Sequence, residues 1–269
     1  MSRRRMLAGR YALRFGALGY LTILLLAPVV LVLYRTFEHG FAPFWDAVTS
    51  PEARSAFWLT IEITLIAVPL NTAFGILTAI AIVRDRFPGK GIVNALVDLP
   101  LALSPVVVGL SLLLLYGRLG WFGPWLDAHG IQIVFALPAM VLATIFVSLP
   151  FVVREVVPIL REIGTEQEQA AATLGASGFQ IFRRITLPAI RWGVAYGVVL
   201  TTARALGEFG AVSIVSGRLA GKTQTATLLV EDYYESFNYT GAYAVSLVLG
   251  MIAVVTLIAM TALRPRHGG

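Results

Sequence analysis

The sequence predicts an all-α integral membrane protein with six transmembrane helices. Its 269 residues are 57% hydrophobic and 13% charged, and the mean hydropathy is +0.79. Because a soluble domain carries about 25% charged residues, a chain this apolar is expected to lie in a bilayer. Six apolar runs supply the spans, and basic residues concentrate in alternate connecting segments. The chain has no cysteine, which excludes disulfides and thiolate metal sites.

The first span follows a segment, 1–14, that contains five arginines. Charge followed by an apolar run also occurs in signal peptides, but this run is long enough to cross the hydrocarbon core and no small-x-small cleavage site follows it. We therefore predict an uncleaved transmembrane helix. The six predicted spans are 15–34, 57–83, 92–116, 131–153, 189–209 and 241–263.

Charge assigns the connecting segments to the two sides of the membrane. Fifteen of the 21 lysines and arginines lie in the N-terminal segment, the 84–91 and 154–191 loops and the C-terminal segment. The positive-inside rule therefore predicts cytoplasmic segments at 1–14 and 264–269 around a permease domain at 15–263. The net charge of +6 follows this topology, so it does not indicate a nucleic-acid partner. Tryptophans at the predicted outer edges are expected to anchor the membrane interface: Trp45, Trp58, Trp121 and Trp125.

Ionisable and polar residues inside the spans are candidate functional groups, because burying a charge in lipid costs a few kcal/mol or more. Asp98 and Ser104 lie at the start of the third span. Arg204 and Glu208 are four residues apart in the fifth, in the order that is less favourable for a helix pair, so we expect partners on other helices. An arginine near a translocation path suits an anionic substrate. A structural ion pair at the outer side of the bundle is the open alternative.

Prolines and small residues also predict irregular helix geometry. The third span contains Pro100 and Pro105, and the second contains Pro69, so these helices are expected to line a path or to bend, with ordinary packing irregularity as the alternative. Gly193 and Gly197 on the fifth span have the spacing that permits close helix approach.

The longest polar interruption is the segment 165–188, TEQEQAAATLGASGFQIFRRITLP. Thr165 with Glu168, and Ser177 with Gln180, have the spacing of capping boxes, which begin helices. We predict two short helices, at about 166–174 and 178–184. The glycines at 175 and 178 provide the turn between them, and the proline at 188 suits the first turn of the next span.

Exposed apolar side chains lie beside basic residues in the second of these short helices. Phe179, Ile181 and Phe182 precede two arginines in a segment predicted to lie in water. Such a surface is typical of a site for a protein partner. The alternative is a loop that lies flat on the membrane with its aromatic rings among the headgroups.

The segment resembles the EAA loop of ABC importer permeases, whose pattern is Glu-Ala-Ala, three residues, Gly, nine residues and Ile-x-Leu-Pro. The matching residues are Ala170, Ala171, Gly175, Ile185, Leu187 and Pro188. The sequence departs from the pattern at Gln169, where the family has Glu. We expect Glu168, one residue earlier, to replace part of that charge.

Further segments, over almost all of 15–263, are similar to sulfate/thiosulfate permeases of the CysW type. They include LTIEITLIAVPLN, DLPLALSPVVVG, TIFVSLPFVVREVVP and ARALGEFGAVSIVSG. The resemblance implies the MetI-like fold of type I ABC importers in a bacterial inner membrane. It also implies three partners: a cytoplasmic ABC ATPase dimer that binds the ATP and Mg²⁺, a second homologous permease, and a periplasmic sulfate-binding protein. This chain would hold no cofactor of its own.

The resemblance also implies roles for particular residues. It assigns docking of the ATPase to Glu168, Gln169, Ala170, Ala171, Gly175, Phe179, Phe182 and Arg183. A role in lining or gating the pathway is a hypothesis for Arg204, Gly207, Glu208, Asp98 and Ser104.

No enzymatic site is predicted. The segment 216–223, SGRLAGKT, is similar to a phosphate-binding loop, but Ser216 stands where the motif needs Gly, and no strand is predicted before it. The histidines, 39, 129 and 267, lie in separate segments without a nucleophile–base arrangement or a metal-ligand set. The chain is therefore expected to be a transport subunit.

Three alternatives remain at this stage. A molybdate or tungstate permease of the same class could use the same pathway, because these are also tetrahedral oxyanions. An ion-coupled secondary transporter would be expected to show repeated halves and ionisable groups near mid-membrane. A structural membrane scaffold is the third. The last two give the segment 165–188 no role.

Overall fold

The structure is a computed structural model that describes residues 3–263. Residues 1–2 and the segment 264–269, with Arg264, Arg266 and His267, lie outside the described residues. Within 3–263 the regular elements are all helical, which confirms the predicted class. The helices are α1 (Arg3–Phe37), α2 (Phe41–Thr49), α3 (Pro51–Arg84), α4 (Lys90–Ala102), α5 (Pro105–Tyr116), α6 (Gly123–Ala128), α7 (Leu137–Glu162), α8 (Glu166–Thr173), α9 (Gly178–Ile181), α10 (Leu187–Leu206), α11 (Gly210–Val215), α12 (Ala226–Glu235) and α13 (Tyr239–Leu263).

Five segments in the described part of the chain are long and apolar enough to cross a membrane, and a sixth span results if α4 and α5 are counted together. The predicted number of spans therefore agrees with the structure when this bent pair is one span. The spans alternate in direction, so α8 lies at one end of the bundle, and α2, α6, α11 and α12 lie at the other. We name these the α8 end and the α11 end.

The third span is two helices rather than the continuous segment 92–116. The axes of α4 and α5 differ by 111°. Pro105 begins α5 and disfavours helical geometry in the residue before it, so Leu103 and Ser104 are both extended. Pro100 lies within α4 without breaking it. The predicted bend in this span is therefore confirmed, and its cause is Pro105.

The second and fourth spans also differ from the prediction. α3 begins six residues earlier than predicted, at Pro51, and is one continuous helix through Pro69. Most of its buried face packs on α7, while Ala53 and Ala56 near its start pack on α12 and α13. α7 begins six residues later than predicted and extends nine residues further, to Glu162. Arg154, assigned from the sequence to a cytoplasmic loop, is therefore within a helix. In the sequence, the charge at Arg154 indicated the end of the span. In the structure a neighbouring helix supplies its counter-ion, so the helix continues past it.

Close backbone contact joins α3, α7 and α10. A Cβ atom added at Gly197 would lie 2.8 Å from the Cα atom of Val152, and one at Gly75 would lie 2.7 Å from the Cβ atom of the same valine. A Cβ atom at Gly193 would lie 2.9 Å from the carbonyl oxygen of Glu155. The close approach predicted from Gly193 and Gly197 is thus confirmed, and α7 is the helix that they contact.

Two apolar clusters of the bundle lie along α7. Near the α8 end, buried residues of α3, α4, α7 and α10 pack together. Towards the α11 end, α7 packs with α3, α5, α11 and α12. α1 packs mainly on α13 and leaves the side chains of its apolar run exposed, as expected for a helix surrounded by lipid.

We expect Gly197→Ala to destabilise the protein by about 1–3 kcal/mol, because the added methyl group meets backbone atoms of α7. The matched control is Gly250→Ala on α13, where an added Cβ meets nothing within 4 Å. Removing a helical glycine there should be neutral or stabilising. Thermal unfolding of the detergent-solubilised protein measures both variants, and equal midpoints would contradict the close contact.

Candidate docking loop and intramembrane charges

The loop between α7 and α10 contains a turn at Gly175 and a capped helix start at Ser177. Gly175 has φ of +83°, the left-handed conformation that favours glycine. The backbone N–H of Ser177 donates to Oε1 of Gln180 at 2.8 Å, and the N–H of Gln180 donates to Oγ of Ser177 at 3.4 Å. The second predicted capping box is therefore confirmed, and it begins α9.

The second short helix is not a separate element. α9 continues through a π-helical turn, Phe182–Thr186, into α10, and 178–206 is one helical span. In the π-turn the N–H of Leu187 donates to the carbonyl oxygen of Phe182. Pro188 has no N–H and cannot donate the α-helical hydrogen bond of its position. The wider π-turn lies just before it. α9 and α10 are therefore one continuous helical element.

The first predicted capping box, between Thr165 and Glu168, does not form. Thr165 instead accepts a hydrogen bond from Nε2 of Gln169 at 3.0 Å. The carboxylate of Glu168 accepts a bond from Oγ1 of Thr186 at 2.7 Å and lies 2.9 Å from Nε of Arg84. A guanidinium is a stronger partner for a carboxylate than a backbone N–H, which explains the difference.

Arg84 joins the loop to the membrane-spanning helices. Its side chain, 13% exposed, ends α3 and donates to the carbonyl oxygens of Leu160 at 3.0 Å and Gly164 at 2.6 Å. With Glu168 and Thr186, it connects the ends of α3 and α7 to α8 and to the start of α10. The sequence showed Arg84 only as topogenic charge, because its partners lie 76 residues or more further along the chain.

The residues predicted to dock a partner do not all share the same exposure. Phe179 is 70% exposed, and Arg183, Gln169 and Ala170 are exposed as well. Phe182 and Ala171 are half-buried, and Phe182 packs against the cluster of α3, α7 and α10. Leu174, 88% exposed beside the turn, was missed from the sequence. Its position just before Gly175, the glycine that follows the end of α8, could have indicated it.

Asp98 of α4 pairs with Arg154 of α7. Nε of Arg154 donates to Oδ1 of Asp98 at 2.7 Å, and Nη2 donates to Oδ2. Both side chains are more than one third exposed. Ser104, predicted with Asp98 for the pathway, is exposed in the extended segment between α4 and α5 and forms no side-chain cap.

Arg204 pairs with Glu208 at 2.7 Å, so the expectation of a partner on another helix is wrong for Arg204. α10 ends at Leu206, and Gly207 is its exposed C-cap. Glu208 therefore lies beyond the helix, where the preferred order of acidic and basic residues within a helix does not apply. Glu208 is buried, and its Oε1 accepts the N–H of Ala211 at 2.8 Å, at the start of α11. Its carboxylate therefore has a structural role, while Arg204 is 30% exposed.

The segment 216–223 is a turn and not a phosphate-binding loop. A helix, α11, precedes it where the nucleotide motif requires a strand. Oγ of Ser216 accepts the N–H of Arg218, and Oγ1 of Thr223 accepts the N–H of Leu219, so both hydroxyls stabilise the turn itself. Within residues 3–263 no three His, Asp or Glu side chains form a group that could hold a metal ion.

The fold, with its bent loop between two spans, is shared with chains of solved ABC transporters. The chain aligns with a chain of a bacterial alginate ABC transporter at a TM-score of 0.81 and 19% identity, covering 98% of this chain and 96% of that one. It aligns with a chain of the MetNI methionine ABC transporter at a TM-score of 0.59 and 20% identity, covering 77% and 92%. These likenesses agree with the predicted MetI-like fold.

The chain belongs to the family of inner membrane components of binding-protein-dependent transport systems, which matches residues 71–268. It is 49% identical to the sulfate transport system permease protein CysW of Synechocystis sp. (strain ATCC 27184 / PCC 6803 / Kazusa), over 96% of this chain and 94% of the relative. It is 47% identical to CysW of Escherichia coli K12, over 90% and 84%. The permease CysT of Salmonella typhimurium LT2 is 36% identical, over 100% and 97%.

Family membership confirms a multi-pass permease subunit of the inner membrane. It leaves the ion-coupled transporter and the scaffold without support, because members of this family serve binding-protein-dependent systems. It also agrees with the prediction that the chain is a transport subunit.

We expect Glu168→Gln to reduce the local stability of α8 by roughly 1–3 kcal/mol, because Arg84 loses its charged partner in a mostly buried position. Amide hydrogen exchange of α8 in detergent should become faster. The matched control, Glu166→Gln, changes an exposed carboxylate in the same helix that forms no ion pair among the described residues. Equal exchange rates in the two variants would contradict the role of Glu168.

Proposed function

We propose that this chain is the permease subunit of an ATP-driven importer of sulfate and thiosulfate, with its α8 end in the cytoplasm. The observation that carries the proposal is the bent α8–α9 loop, which is held to three spans and presents an exposed apolar surface. The relatives named sulfate transport system permease proteins support sulfate as the substrate.

Charge supports the proposed orientation. The connecting segments at the α8 end, together with the N- and C-terminal segments, contain most of the lysines and arginines. The four tryptophans at positions 45, 58, 121 and 125 are all more than half exposed towards the α11 end, as interfacial anchors would be. Both termini would then be cytoplasmic.

The loop is suited to dock on a cytoplasmic ATPase subunit. Leu174 and Phe179 lie on either side of the Gly175 turn and leave large apolar side chains exposed, with Arg183 nearby. Apolar anchors beside a charge are typical of the centre of a protein interface. In this proposal Glu168 supports docking indirectly, because its carboxylate binds Arg84 and holds α8 in position.

Docking at this loop would move the spans. α9 is continuous with α10, and Arg84 connects α8 to α3 and α7, so displacement of the loop displaces all three helices. ATP and Mg²⁺ would be bound by the ATPase dimer, and its closure would switch the pathway between inward-facing and outward-facing. A periplasmic sulfate-binding protein would deliver the anion at the α11 end.

A second, distinct permease would complete the pathway. Relatives of two kinds, named CysW and CysT, both match this chain, which favours a pair of homologous subunits over two identical ones. Arg204 is our candidate for a pathway residue near the α11 end, because it is partly exposed and its charge suits an oxyanion. Gly207 and Glu208 would support its position.

Uptake by the reconstituted complex tests the substrate. The permease pair, the ATPase and the binding protein are placed in liposomes loaded with ATP, and labelled sulfate uptake is competed with thiosulfate or molybdate. We expect sulfate uptake that depends on ATP and is inhibited by thiosulfate. Transport of molybdate in preference to sulfate would favour the molybdate or tungstate alternative.

We expect Gly175→Asp to leave the protein inserted but to weaken co-purification of the ATPase, because a side chain and a charge enter the docking turn. The control is Gly221→Asp at the α11 end. Both glycines have positive φ, +83° and +74°, and an added Cβ meets nothing within 4 Å at either. The two variants therefore carry the same backbone strain and charge. Equal loss of the ATPase in both would contradict docking at the loop.

We expect Arg204→Gln to reduce sulfate uptake about tenfold or more, the factor for about 1.4 kcal/mol, while the complex still assembles. The control is Arg218→Gln, another arginine at the α11 end that pairs with a carboxylate, Glu231, at 2.9 Å. Its uptake should be close to that of the unaltered complex. Loss of folded protein in Arg204→Gln alone would instead support a purely structural ion pair.

A further inference from the structure

We propose that Arg154 is an anion-binding residue of the pathway towards the α8 end, and that Asp98 is its exchangeable counter-ion. The inference rests on the proposed function, because it takes sulfate as the anion. Substrate would displace the carboxylate of Asp98 from the guanidinium, and the carboxylate would later displace the substrate.

The geometry of the pair is the one that an oxyanion would also use. Arg154 presents Nε and Nη2 to the two carboxylate oxygens of Asp98 in a parallel, two-bond arrangement. A guanidinium offers the same pair of donors to two oxygens of a tetrahedral oxyanion. Sulfate and Asp98 therefore compete for the same atoms.

The pair lies within the spans and not at their ends. Arg154 is eight residues before Glu162, the last residue of α7, and Asp98 is eight residues after Lys90, the first residue of α4. At about 1.5 Å per residue, both lie about 12 Å from the α8 end of their helices. Asp98 contacts Arg154, so the pair lies at the depth that α7 gives.

The pair is too exposed at this depth to face lipid. The side chains of Arg154 and Asp98 are 36% and 44% exposed. Ionisable residues in membrane spans face the bundle interior or a water-filled cavity, because hydrocarbon does not solvate them. The open side of this pair is therefore expected to face the pathway between the two proposed permeases and not lipid.

The faces of α4 agree with this assignment. Val93, Val97 and Pro100 pack towards the bundle. Ile92, Leu96 and Leu99 form an exposed apolar face suited to lipid. Asp98 lies on a third face, whose other residues at about 100° per residue are Gly91, Asn94, Ala95, Leu101 and Ala102. Four of these five are small or polar, and Leu101 lies in the last turn before the bend.

A second arginine extends the positive charge towards the α8 end. Arg161 is seven residues after Arg154, so it lies on the same face of α7 about 10 Å further along. It is exposed and forms no ion pair among the described residues. An anion released from Arg154 would meet this charge next, which favours movement towards the α8 end.

The exchange keeps Arg154 paired at every stage. While the path is empty, Asp98 neutralises the guanidinium, so no bare charge lies in the membrane. When sulfate occupies Arg154, the freed carboxylate repels the anion and limits how tightly it is held. Asp98 would therefore speed release, and its removal should trap sulfate at Arg154.

The test uses proteoliposomes of the complete complex that are loaded with ATP and with increasing sulfate, the binding protein being outside. We expect Asp98→Asn to lower the luminal sulfate concentration that halves uptake by about tenfold, because one repulsive charge is lost. Glu231→Gln, which removes the partner of Arg218, is the control and should not change this concentration. An unchanged concentration in Asp98→Asn would overturn the proposal.

Two further variants separate anion binding from a structural ion pair. The charge swap Asp98→Arg with Arg154→Asp keeps a pair, so it should assemble, but we expect no sulfate uptake. Wild-type uptake by the swap would overturn the proposal. Arg154→Lys keeps the charge and loses the two-bond fork, so luminal sulfate should inhibit it less. This variant remains informative if Asp98→Asn does not assemble, and unchanged inhibition in it would also count against Arg154.

The unaltered complex distinguishes failure of this inference from failure of the proposed function. If that complex takes up another oxyanion and not sulfate, the proposed substrate is wrong, and the same variants are measured with the oxyanion that is transported. If it takes up sulfate and the Arg154 and Asp98 variants respond as the control does, only the present inference fails.

Discussion

The guanidinium of Arg84 is the contact on which the organisation of the α8 end depends. It binds two carbonyl oxygens at the end of α7 and the carboxylate of Glu168 in α8, which also accepts a bond from Thr186 before α10. One residue thus holds the loop and three spans together. Nearer the centre of the bundle, Gly75 and Gly197 bring α3 and α10 against Val152 of α7. The loop and these helices are therefore expected to move as one body.

Three arginine–carboxylate pairs lie at different distances from the α8 end, and they differ in how far their side chains are buried. Arg84 and Glu168 are both mostly buried, which suits a permanent connection. Glu208 is buried and holds the start of α11, while Arg204 remains partly exposed. Asp98 and Arg154 are both substantially exposed, which suits an exchangeable contact. An unpaired charge in a membrane span is costly. A carboxylate partner removes this cost, so an arginine can lie in a path for anions.

Gln169 stands where the family pattern has Glu, and its side chain contacts only its own loop among the interactions described. Gln169 is exposed and bonds within its own helix to Thr165, so the first position of the motif carries no charge towards a partner. The neighbouring charge of Glu168 is used inside the protein, by Arg84. Replacement of part of the missing charge by Glu168 remains a prediction; in this structure its carboxylate binds Arg84 and Thr186.

The sequence alone determined the properties that depend on local pattern. Apolar length and charge alternation predicted the spans, the spacing of Ser177 and Gln180 predicted the start of α9, and Gly193 and Gly197 predicted a close helix contact. Only the tertiary structure decided the ion pairs of Arg84 with Glu168 and of Arg154 with Asp98, since the two residues of each pair are 84 and 56 residues apart in the chain. It also decided that α7 continues through Arg154, because Asp98 of α4 supplies the counter-charge that lets an arginine remain in a membrane helix.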